Sequence, residues 1–485
     1  MECEVSHQFC PPKMNDELRS PHRFRWVFCQ LDRLRRCLPG RIRRALDELP
    51  ATLDGTYERT LLDIDEENWV YAHRLFQCIT VAPRSLRVEE LAEFLAFDFD
   101  EGENPTGRFE TDWRPDDPEN AVLSTCSSLI AVVNVNNKAV VQFSHFSVKE
   151  FLTSNRIARG LVSRYHIPLE PAHLTMARAC LTVILHLDGH VNDAAIKTLP
   201  LVFYASRYWS SHVKFGSVSL QVQDAMRQVF DPTEPYYSAW TWLEFSDESM
   251  KLISKITSTS MVPPLHRATM DGFADVVEWL VTSRSQGLEE LHSYKTPLYY
   301  ATRHEKPKIG RLLIKLGADV NASRCIGLRP LHLASSKGRL ETLHLLIANG
   351  ADVNARDDND WTAISFAAEE GRLEAVRVLL DNGADPNMGR SVKSPLYQAL
   401  EEDHLEVAQL LLKYDADINS QDGSGRTMLH LASRRAKPKL ARLLLEHGAN
   451  IHARDSQGKT PLQVAIDAEH QDIVELFLQH GAKGS

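Results

Sequence analysis

The sequence has little that supports a metal site, a membrane span or an extracellular setting. Its eight cysteines are scattered along 485 residues, and none has a partner at CxxC spacing. This pattern gives no support for zinc and is typical of reduced thiols inside the cell. The best apolar run, Leu181 to Leu187, is too short to span a bilayer, and the N-terminus lacks the apolar core of a secretory signal. The sequence therefore predicts no metal, no membrane contact and a cytoplasmic protein, with the nucleus as the alternative.

The motifs of common catalytic sites are also missing. The sequence has no GxSxG elbow, HExxH pair or kinase signature. The phosphate-binding loop GxxxxGK[ST] has one near match at Gly458-Lys459-Thr460, but Ala453 stands where the first glycine belongs. Such a loop needs its glycines so that backbone N–H groups can surround the phosphates. We therefore expect no ATP binding, no cofactor and no enzymatic activity.

An excess of positive charge is missing as well. The chain carries 55 Lys and Arg against 65 Asp and Glu, a formal net charge of −10. Nine of the acidic residues fall between Asp98 and Glu119, in a stretch whose Gly and Pro content predicts a surface loop. Because basic side chains dominate the affinity for nucleic acid, a nucleic-acid partner is not expected.

What the sequence does contain is a repeat that fills its second half. A helix-opening pattern, with Thr or Ser first in five copies, Pro second in five and an apolar residue third in all seven, recurs with a spacing of 33 residues, and once of 32. Thr or Ser caps a helix, and Pro fits its first turn because it has no N–H to lose there. A fixed period of this length predicts a repeat solenoid. The seven copies open at Pro263, Thr296, Arg329, Thr362, Ser394, Thr427 and Thr460.

Three columns of the repeat carry its core. Alanine stands five residues after every opening, where only a small side chain lets neighbouring helices approach closely. An apolar pair follows at sixteen and seventeen residues, and the second helix ends at a glycine, or at Asp415 in the fifth copy. Glycine in the turn between the two helices is replaced in repeats two, five, six and seven, which we expect to be locally less stable. In these columns the repeat resembles the ankyrin repeat.

The first half predicts short helices around one hairpin. Apolar periodicity predicts helices over 55–64, 68–81 and 88–97. Two β-branched runs, 129–133 and 139–143, flank Asn136-Asn137, a pair that tolerates the positive φ of a tight turn. A helix over 147–153 follows the second run. This order is that of a winged helix, so the predicted fold class is mainly α: a helical, winged-helix N-terminal part and an α-solenoid of about seven repeats.

Several segments of this half resemble fungal NACHT–ankyrin proteins. They are Phe-Arg-Trp-Val-Phe-Cys-Gln-Leu at 24–31, Leu-Pro-Gly-Arg-Ile-Arg-Arg-Ala-Leu-Asp-Glu-Leu-Pro at 38–50, Phe-Ser-His-Phe-Ser-Val-Lys-Glu-Phe-Leu at 143–152 and the stretch 204–212. The resemblance implies a C-terminal part of such a protein, with the end of a nucleotide-binding module before a winged helix. Its ATPase module, which carries the phosphate-binding loop, is expected to be missing. The implied setting is NLR-like signalling.

These observations predict four domains. A remnant helical segment of a nucleotide-binding module covers 1–37, a winged-helix domain 38–160, a helical connector 161–260 and the ankyrin repeats 261–485. Within the connector, Trp240 and Trp242 are expected to be buried between the two larger domains rather than exposed as a docking patch.

Function is expected on positions that the repeat fold does not need. In ankyrin arrays, ligands meet the finger tips and the exposed side of the first helices. Trp361 is the best anchor candidate, since aromatics among charges are typical interface hot spots; packing on the neighbouring finger is the open alternative. The predicted partner-binding residues are Arg303, His304, Lys337, Asp357, Asp358, Asp360, Trp361, Glu369, Glu370, Arg390, Glu401, Glu402, Arg426, Arg434 and Arg435.

The sequence thus favours a non-enzymatic receptor or scaffold. The ankyrin array would bind a protein ligand, and the winged-helix part would relay or restrain that binding. The alternative is a DNA-binding regulator, in which the helix after the hairpin reads DNA with Lys149 and with Arg156, Arg159 and Arg164 nearby. His145 between serines is expected to be structural rather than catalytic. The identity of the ligand and the oligomeric state are not encoded in any pattern of the sequence.

Overall fold

The chain divides into two compact units in a computed structural model, Met1–Met261 and Val262–Ser485. The structure describes residues 52–99, 107–187, 198–245, 262–293, 295–323, 325–389 and 394–482. The resembling segments at 24–31 and 38–50, and with them the predicted remnant 1–37, lie outside the described residues. The boundaries proposed at 37/38 and 160/161 remain predictions.

The first unit is mainly helical, with five short strands among its described residues. Helices predicted over 55–64, 68–81 and 147–153 are confirmed within two residues at either end. The elements are α1 Leu53–Leu62, α2 Trp69–Val81, β1 Leu86–Arg87, α3 Val88–Ala92, β2 Phe97–Asp98, β3 Arg108–Phe109, α4 Pro118–Cys126, β4 Ile130–Val135, β5 Lys138–Phe143, α5 Phe146–Thr153, α6 Leu169–Leu185, α7 Val202–Val213, α8 Val218–Gln221, α9 Gln223–Phe230 and α10 Tyr236–Phe245.

The predicted hairpin is confirmed and forms the wing of a three-stranded sheet. Strands β4 and β5 pair antiparallel from Val135↔Lys138 to Ile130↔Phe143. Between them, Asn136 and Asn137 take φ values of 49° and 61°, as a two-residue turn of this hand requires. Strand β1 joins on the far side of β5, so the sheet order is β1-β5-β4.

The helix in the position to read DNA is α4, not α5. Helices α3 and α4 pack on each other just before the hairpin, and the second helix of such a pair is the one that enters a groove. Helix α4 contains no Lys or Arg and opens beside Asp116, Asp117 and Glu119. The interpretation of the helix after the hairpin, α5, as the DNA-reading element was therefore wrong. Strand β1 precedes α3 and α4 in the chain and pairs with β5 of the hairpin, so the helix pair lies between β1 and the hairpin.

Two buried ion pairs lie in the winged-helix part, and the carboxylate of one of them also bonds the helices behind it. Glu90 is fully buried and receives two hydrogen bonds of 2.7 Å from the Arg84 guanidinium. Burial pushes the pKa of Glu90 up, but Arg84 outweighs it and the net pKa is lowered. Glu93 pairs with Arg114 and accepts the backbone N–H of Leu201 at 2.8 Å, at the start of α7. Burial raises the pKa of this carboxyl.

The aromatic core of the connector lies within the first unit. Trp240 is fully buried, with its ring centroid 5.2 Å from that of Trp209 and 5.4 Å from that of Phe230. Its indole N–H donates to the carbonyl of Ser206 at 2.9 Å. The prediction of burial is confirmed for Trp240, but its place between two domains was wrong, because partners on α7, α9 and α10 of the same unit enclose it.

The second unit contains seven helix pairs in its described part, one for each predicted repeat. In every pair the helices pack on each other, and each first helix packs closely on the next first helix at every step except that from repeat five to repeat six. The pairs are α11 Pro264–Asp271 and α12 Ala274–Ser283; α13 Pro297–Arg303 and α14 Pro307–Lys315; α15 Pro330–Lys337 and α16 Leu340–Ala348; α17 Ala363–Glu369 and α18 Leu373–Asp381; α19 Pro395–Glu401 and α20 Leu405–Lys413; α21 Met428–Arg434 and α22 Pro438–Glu446; α23 Pro461–Asp467 and α24 Gln471–Gln479.

The sequence columns occupy the places predicted for them. All seven column alanines are at most 2% exposed, as are all seven second members of the apolar pairs. Thr296, Thr362, Ser394 and Thr460 cap their helices by accepting the backbone N–H three residues on. The glycine substitutes in the helix–helix turn keep the left-handed backbone, with φ from 52° to 69° at Glu305, Asp403, Ala436 and Glu469.

Candidate functional site

The repeat histidines are structural. His332 Nε2 donates to the carbonyl of Ala355 at 3.0 Å, and its Nδ1 accepts the N–H of Arg329 at 3.1 Å. His430 makes the same two bonds, with Lys459 and Thr427, at 3.0 and 3.1 Å. Burial lowers the pKa of both rings, and protonated Nδ1 could not accept the N–H. These two rings therefore tie the capping turns of adjacent repeats together.

A ladder of basic side chains joins the repeats, and the sequence analysis missed it. Ten residues after the opening, each of repeats three to seven donates a side-chain hydrogen bond to a carbonyl in the last turn of the preceding first helix. Carbonyls in the last turn of a helix lack the N–H four residues on, and the ladder supplies them with a donor; the Thr302 carbonyl also accepts the N–H of Glu305 at 3.4 Å. The pairs are Arg339 to Thr302, Arg372 to Ser336 (3.1 Å), His404 to Glu369 (3.0 Å), Lys437 to Glu401 (2.9 Å) and His470 to Ser433 (2.7 Å).

A second ladder of asparagines runs along the other end of the repeats. Asn354 donates to the carbonyl of Gly383 at 3.0 Å, while its amide oxygen accepts the N–H of Asp385 at 2.8 Å. Asn321 and Asn387 repeat both bonds in their own copies. The signal in the sequence is the Ala-Asp-x-Asn that recurs after the second helices of repeats two to five, which a search for apolar periodicity does not detect.

The finger aspartates shape their own turns. Asp357 is 7% exposed, and its Oδ1 accepts the N–H groups of Asn359 and Trp361 at 2.9 and 2.8 Å. Asp422 and Asp455 accept the equivalent pair of N–H groups in later fingers. The expectation that Asp357 is exposed for a partner was wrong, because an aspartate at this position folds back on the backbone of its own turn.

The other finger residues differ in how accessible they are. Trp361 is half-buried, and its ring lies 5.0 Å from that of Phe366 in the first helix of its own repeat rather than on the neighbouring finger. Asp358 is exposed, and its backbone N–H donates to Ile326 at 3.1 Å. Asp360 has a φ of 65° and an ion pair with Arg356 at 3.7 Å. Arg390 lies outside the described residues.

The predicted residues of repeats two and three form a basic surface. Arg303 and His304 are exposed at the end of α13. Burial of the ring lowers the pKa of His304, and the nearby Arg303, Lys306 and Arg339 lower it further. Lys337 reaches towards repeat four, where its Nζ is 3.8 Å from the carboxylate of Glu370.

Repeats four and five carry the acidic surface. Glu370 is already paired, with Lys337 and with Arg372 at 3.4 Å, and Glu401 pairs with Arg435 at 2.5 Å. Glu369 and Glu402 have no ion pair within the described part of the chain. Partial burial raises the pKa of Glu369, and repulsion from Glu370 and Glu402 adds to it. Two carboxylates without an ion pair in the described part of the chain therefore stand at the ends of adjacent first helices.

Repeat six restores positive charge. Arg434 and Arg435 are exposed at the end of α21, and Arg435 is engaged with Glu401. Arg426 is half-buried and bound to Asp422, with Nε 2.8 Å from its Oδ2. The structure thus places the predicted positive, negative and positive sequence along successive first helices, and internal ion pairs neutralise part of it.

The winged-helix part shows no comparable site in the residues the structure describes. His145 caps α5, and its Nδ1 lies 2.5 Å from Ser147 Oγ, which also bonds the Tyr57 hydroxyl at 2.8 Å. The side chain of Ser147 is buried. Across the described ranges, no cluster of His, Cys, Asp and Glu has the arrangement of a metal site. No helix in those ranges is long and apolar enough to cross a bilayer.

Comparison with known proteins identifies both units. The family model "Ankyrin repeats" matches residues 250–324, 331–422 and 396–485, and the model "GPI inositol-deacylase, winged helix domain" matches residues 60–167. The winged-helix match lies within the first unit, and the ankyrin matches begin at residue 250, before the boundary, and extend to the end of the second unit.

Similar proteins match only portions of this chain. The azaphilone pigments biosynthesis cluster protein L of Monascus ruber is 25% identical over 294 residues, which is 57% of this chain and 61% of that protein. The B-cell lymphoma 3 protein homolog of Mus musculus is 32% identical over 176 residues, 36% of this chain and 32% of that protein. The chain thus spans less than two thirds of either relative.

A solved ankyrin structure is among those similar to part of this chain. It is the ankyrin repeat domain of Bcl-3, described as a member of the IkappaB protein family, at 31% identity and a TM-score of 0.42. The match covers 45% of this chain and 98% of that one. On the two family models, the chain carries a winged-helix domain of the GPI inositol-deacylase type followed by an array of ankyrin repeats.

Proposed function

We propose that this protein is a non-enzymatic receptor or scaffold whose ankyrin array binds a protein ligand through the exposed ends of its first helices. The observation that carries the proposal is the pair of Glu369 and Glu402. These carboxylates lie on adjacent repeats, repel each other and have no cation within the described part of the chain. Because like charges held together destabilise the free protein, a ligand that supplies basic groups relieves the repulsion.

The surrounding residues support binding over folding as the role of this pair. The side chains that form the cores, caps and ladders of the repeats are either buried or hydrogen-bonded to the backbone. Glu369 and Glu402 use their carboxylates in none of these contacts. Arg303, His304 and Lys337 on one side, and Arg434 and Arg435 on the other, extend the surface with the opposite charge. Such alternation favours a partner with a complementary charge order.

The winged-helix part is proposed to relay or restrain binding in an NLR-like signalling setting. The GPI inositol-deacylase type of winged helix, next to ankyrin repeats, is the arrangement that the sequence resemblance to fungal NACHT–ankyrin proteins implies. The relative from Monascus ruber is a fungal protein and fits that setting. No ATP and no cofactor enter this proposal, since no phosphate-binding loop occurs in the sequence.

DNA binding is the less favoured alternative. Of the basic residues that suggested it, Arg156 pairs with Asp54 at 2.6 Å and Arg164 with Glu66 at 2.7 Å. Helix α4 at the groove-reading position has acidic neighbours and no basic residue. We expect the full chain to cause no shift of random 30-base-pair DNA in a gel at physiological salt. A shift that weakens steeply with added salt would favour the alternative.

Affinity capture tests the proposed binding surface. The full chain and its Glu369→Lys, Glu402→Lys double variant are used as baits in an extract of the source cells, and bound proteins are quantified by mass spectrometry. We expect the variant to lose the partners that the parent chain retains. A matched control, Glu278→Lys with Glu446→Lys, makes the same charge change at exposed positions of second helices and should retain them. Identical partners for all three baits would contradict the proposal.

A further inference from the structure

A small cleft lies between the fifth and sixth repeats, beside the acidic pair. Its apolar walls are Tyr397 and Leu431, and its finger side is formed by Asp422 and Arg426. Arg434, in the last turn of α21, is its exposed member. Burial raises the pKa of the Tyr397 hydroxyl, and the charges of Glu401, Arg435, Asp422 and Arg434 all act on that hydroxyl. The Tyr397 ring and Arg434 therefore line the same cleft.

Among the described residues, the polar groups that line the cleft are engaged, except the Tyr397 hydroxyl and the Arg434 guanidinium. Asp422 accepts N–H bonds from Ser424 and Arg426 at 2.8 and 3.0 Å, and its other oxygen accepts Arg426 Nε at 2.8 Å. His430 uses both ring nitrogens within the fold. Arg434 has no ion pair or hydrogen bond from its side chain within the described residues.

The neighbouring cations differ from Arg434 in this respect. Arg435 pairs with Glu401, and Lys437 donates to the Glu401 carbonyl at 2.9 Å and lies 3.8 Å from Asp403. A guanidinium without a partner is an acceptor-seeking group with five N–H donors, and it binds a carboxylate through two parallel hydrogen bonds. The cleft is therefore lined by an aromatic ring and by one guanidinium that has no ion-pair partner in the described residues.

We propose that this cleft takes an aspartate or glutamate side chain of the protein ligand, with Arg434 as its ion-pair partner. The inference rests on the proposed function and names the chemistry of one ligand group. A single free guanidinium balances one negative charge, which suits a carboxylate. A phosphate, with a charge near −2, would need a second cation, and Arg426 and Arg435 are already paired. The methylene groups of the ligand side chain would contact Tyr397 and Leu431.

The cleft also fixes the orientation of the ligand on the array. Glu369 and Glu402 precede it on repeats four and five, so they take basic groups, while Arg434 on repeat six takes an acidic one. The ligand segment must then carry its basic and acidic groups in one order along the repeats. A segment with the reverse order would place like charges together at both positions.

The test uses a phage-displayed library of random twelve-residue peptides, panned on the immobilised full chain. We expect the selected peptides to share an Asp or Glu. One selected peptide is then synthesised with that acid and with its Gln or Asn counterpart, and both are titrated against parent, Arg434→Gln and Arg442→Gln chains. Arg442 is an exposed arginine on the second helix of the same repeat and serves as the control.

The expected result is coupling between Arg434 and the peptide acid. Arg434→Gln should weaken the acidic peptide at least tenfold and leave the amide peptide unchanged, and Arg442→Gln should weaken neither peptide. Selection without a shared acid, equal losses for both peptides, or equal losses in both variants would overturn the inference. Because the capture experiment with Glu369→Lys and Glu402→Lys leaves Arg434 intact, failure of the cleft inference is distinguishable from failure of the proposed function.

Discussion

At the scale of single residues, some side chains stabilise the repeats and others take no part in the repeat fold. His266 belongs to the first kind: its side chain is fully buried, and Nε2 donates to the carbonyl of Lys295 at 3.1 Å. Burial lowers its pKa from 6.5 to about 4. The folded chain therefore excludes a proton that the unfolded chain binds, and this residue makes the stability depend on pH.

The sign of this dependence follows from linkage. A histidine with a lowered pKa contributes stability that is complete above pH 6.5 and is lost as the pH falls towards 4. Between pH 7 and pH 5, His266 should therefore cost about 2 kcal/mol of the free energy of unfolding. Urea titrations of the full chain at both pH values measure the loss, which His266→Ala should reduce. The exposed His344, replaced by Ala, should leave the loss unchanged; an unchanged loss in His266→Ala would contradict this account.

Ala436 tests the strain in the turn between paired helices. It has a φ of 52°, in the left-handed region where glycine is favoured, and it replaces the glycine found at the same place in other repeats. We expect Ala436→Gly to raise the free energy of unfolding by roughly 0.5–1 kcal/mol, because the gain in the turn exceeds the entropy that glycine adds to the unfolded chain.

Urea midpoints check this expectation. Ala432→Gly is the comparison, since Ala432 is fully buried within α21 and its replacement should destabilise the chain. A loss of stability in both variants would show that the turn at Ala436 is not strained.

At the scale of elements, the helices were predictable because their apolar residues recur at a fixed period. The column alanines and leucines set this period, so the seven helix pairs followed from spacing alone. The basic ladder was visible as a column of Lys306, Arg339, Arg372, His404, Lys437 and His470, yet it was missed. Polar residues carry no apolar periodicity, and only the structure shows that their donors reach the preceding helix.

The ladder makes a prediction about the coupling of repeats. Arg339, 17% exposed in its side chain, donates to Thr302 and pairs with Glu305 at 3.1 Å. Arg339→Met keeps the apolar stem but leaves the carbonyl without its donor, at an expected cost of about 1–2 kcal/mol. Hydrogen exchange followed by mass spectrometry should show faster exchange in repeats two and three.

Arg311→Met is the control for this change. Arg311 is exposed on the second helix of repeat two and should shift the urea midpoint and the exchange rates very little. Equal effects of the two substitutions would mean that the ladder contributes nothing beyond surface charge.

The misplaced residues have physical explanations at this scale too. The sequence predicts an exposed Asp357 because polar finger residues are usually exposed. A short carboxylate can, however, accept N–H groups of its own turn and become buried, as Asp357 does. The groove-reading helix was misassigned because β1 pairs with β5 across more than fifty residues of chain. Such long-range pairing leaves no local pattern in the sequence.

At the scale of the whole molecule, the second unit offers a charged surface and the first unit carries a winged helix. The repeat number and the order of charges along the array could be predicted from the sequence. The sequence does not predict which of these charges stay without an ion pair, because pairs such as Arg435 with Glu401 depend on the approach of neighbouring repeats. Glu369, Glu402 and Arg434 are charged residues without an ion pair in the described part of the chain, and they are the basis of the proposed recognition.

The affinity of a captured partner tests the central claim most directly. Its dissociation constant is measured by titration calorimetry for the parent full chain, for the Glu369→Lys, Glu402→Lys variant and for the Glu278→Lys, Glu446→Lys control. We predict that the first variant raises the dissociation constant at least tenfold, about 1.4 kcal/mol, while the control stays within twofold of the parent. A dissociation constant within twofold of the parent for all three chains would contradict the claim that these carboxylates bind the ligand.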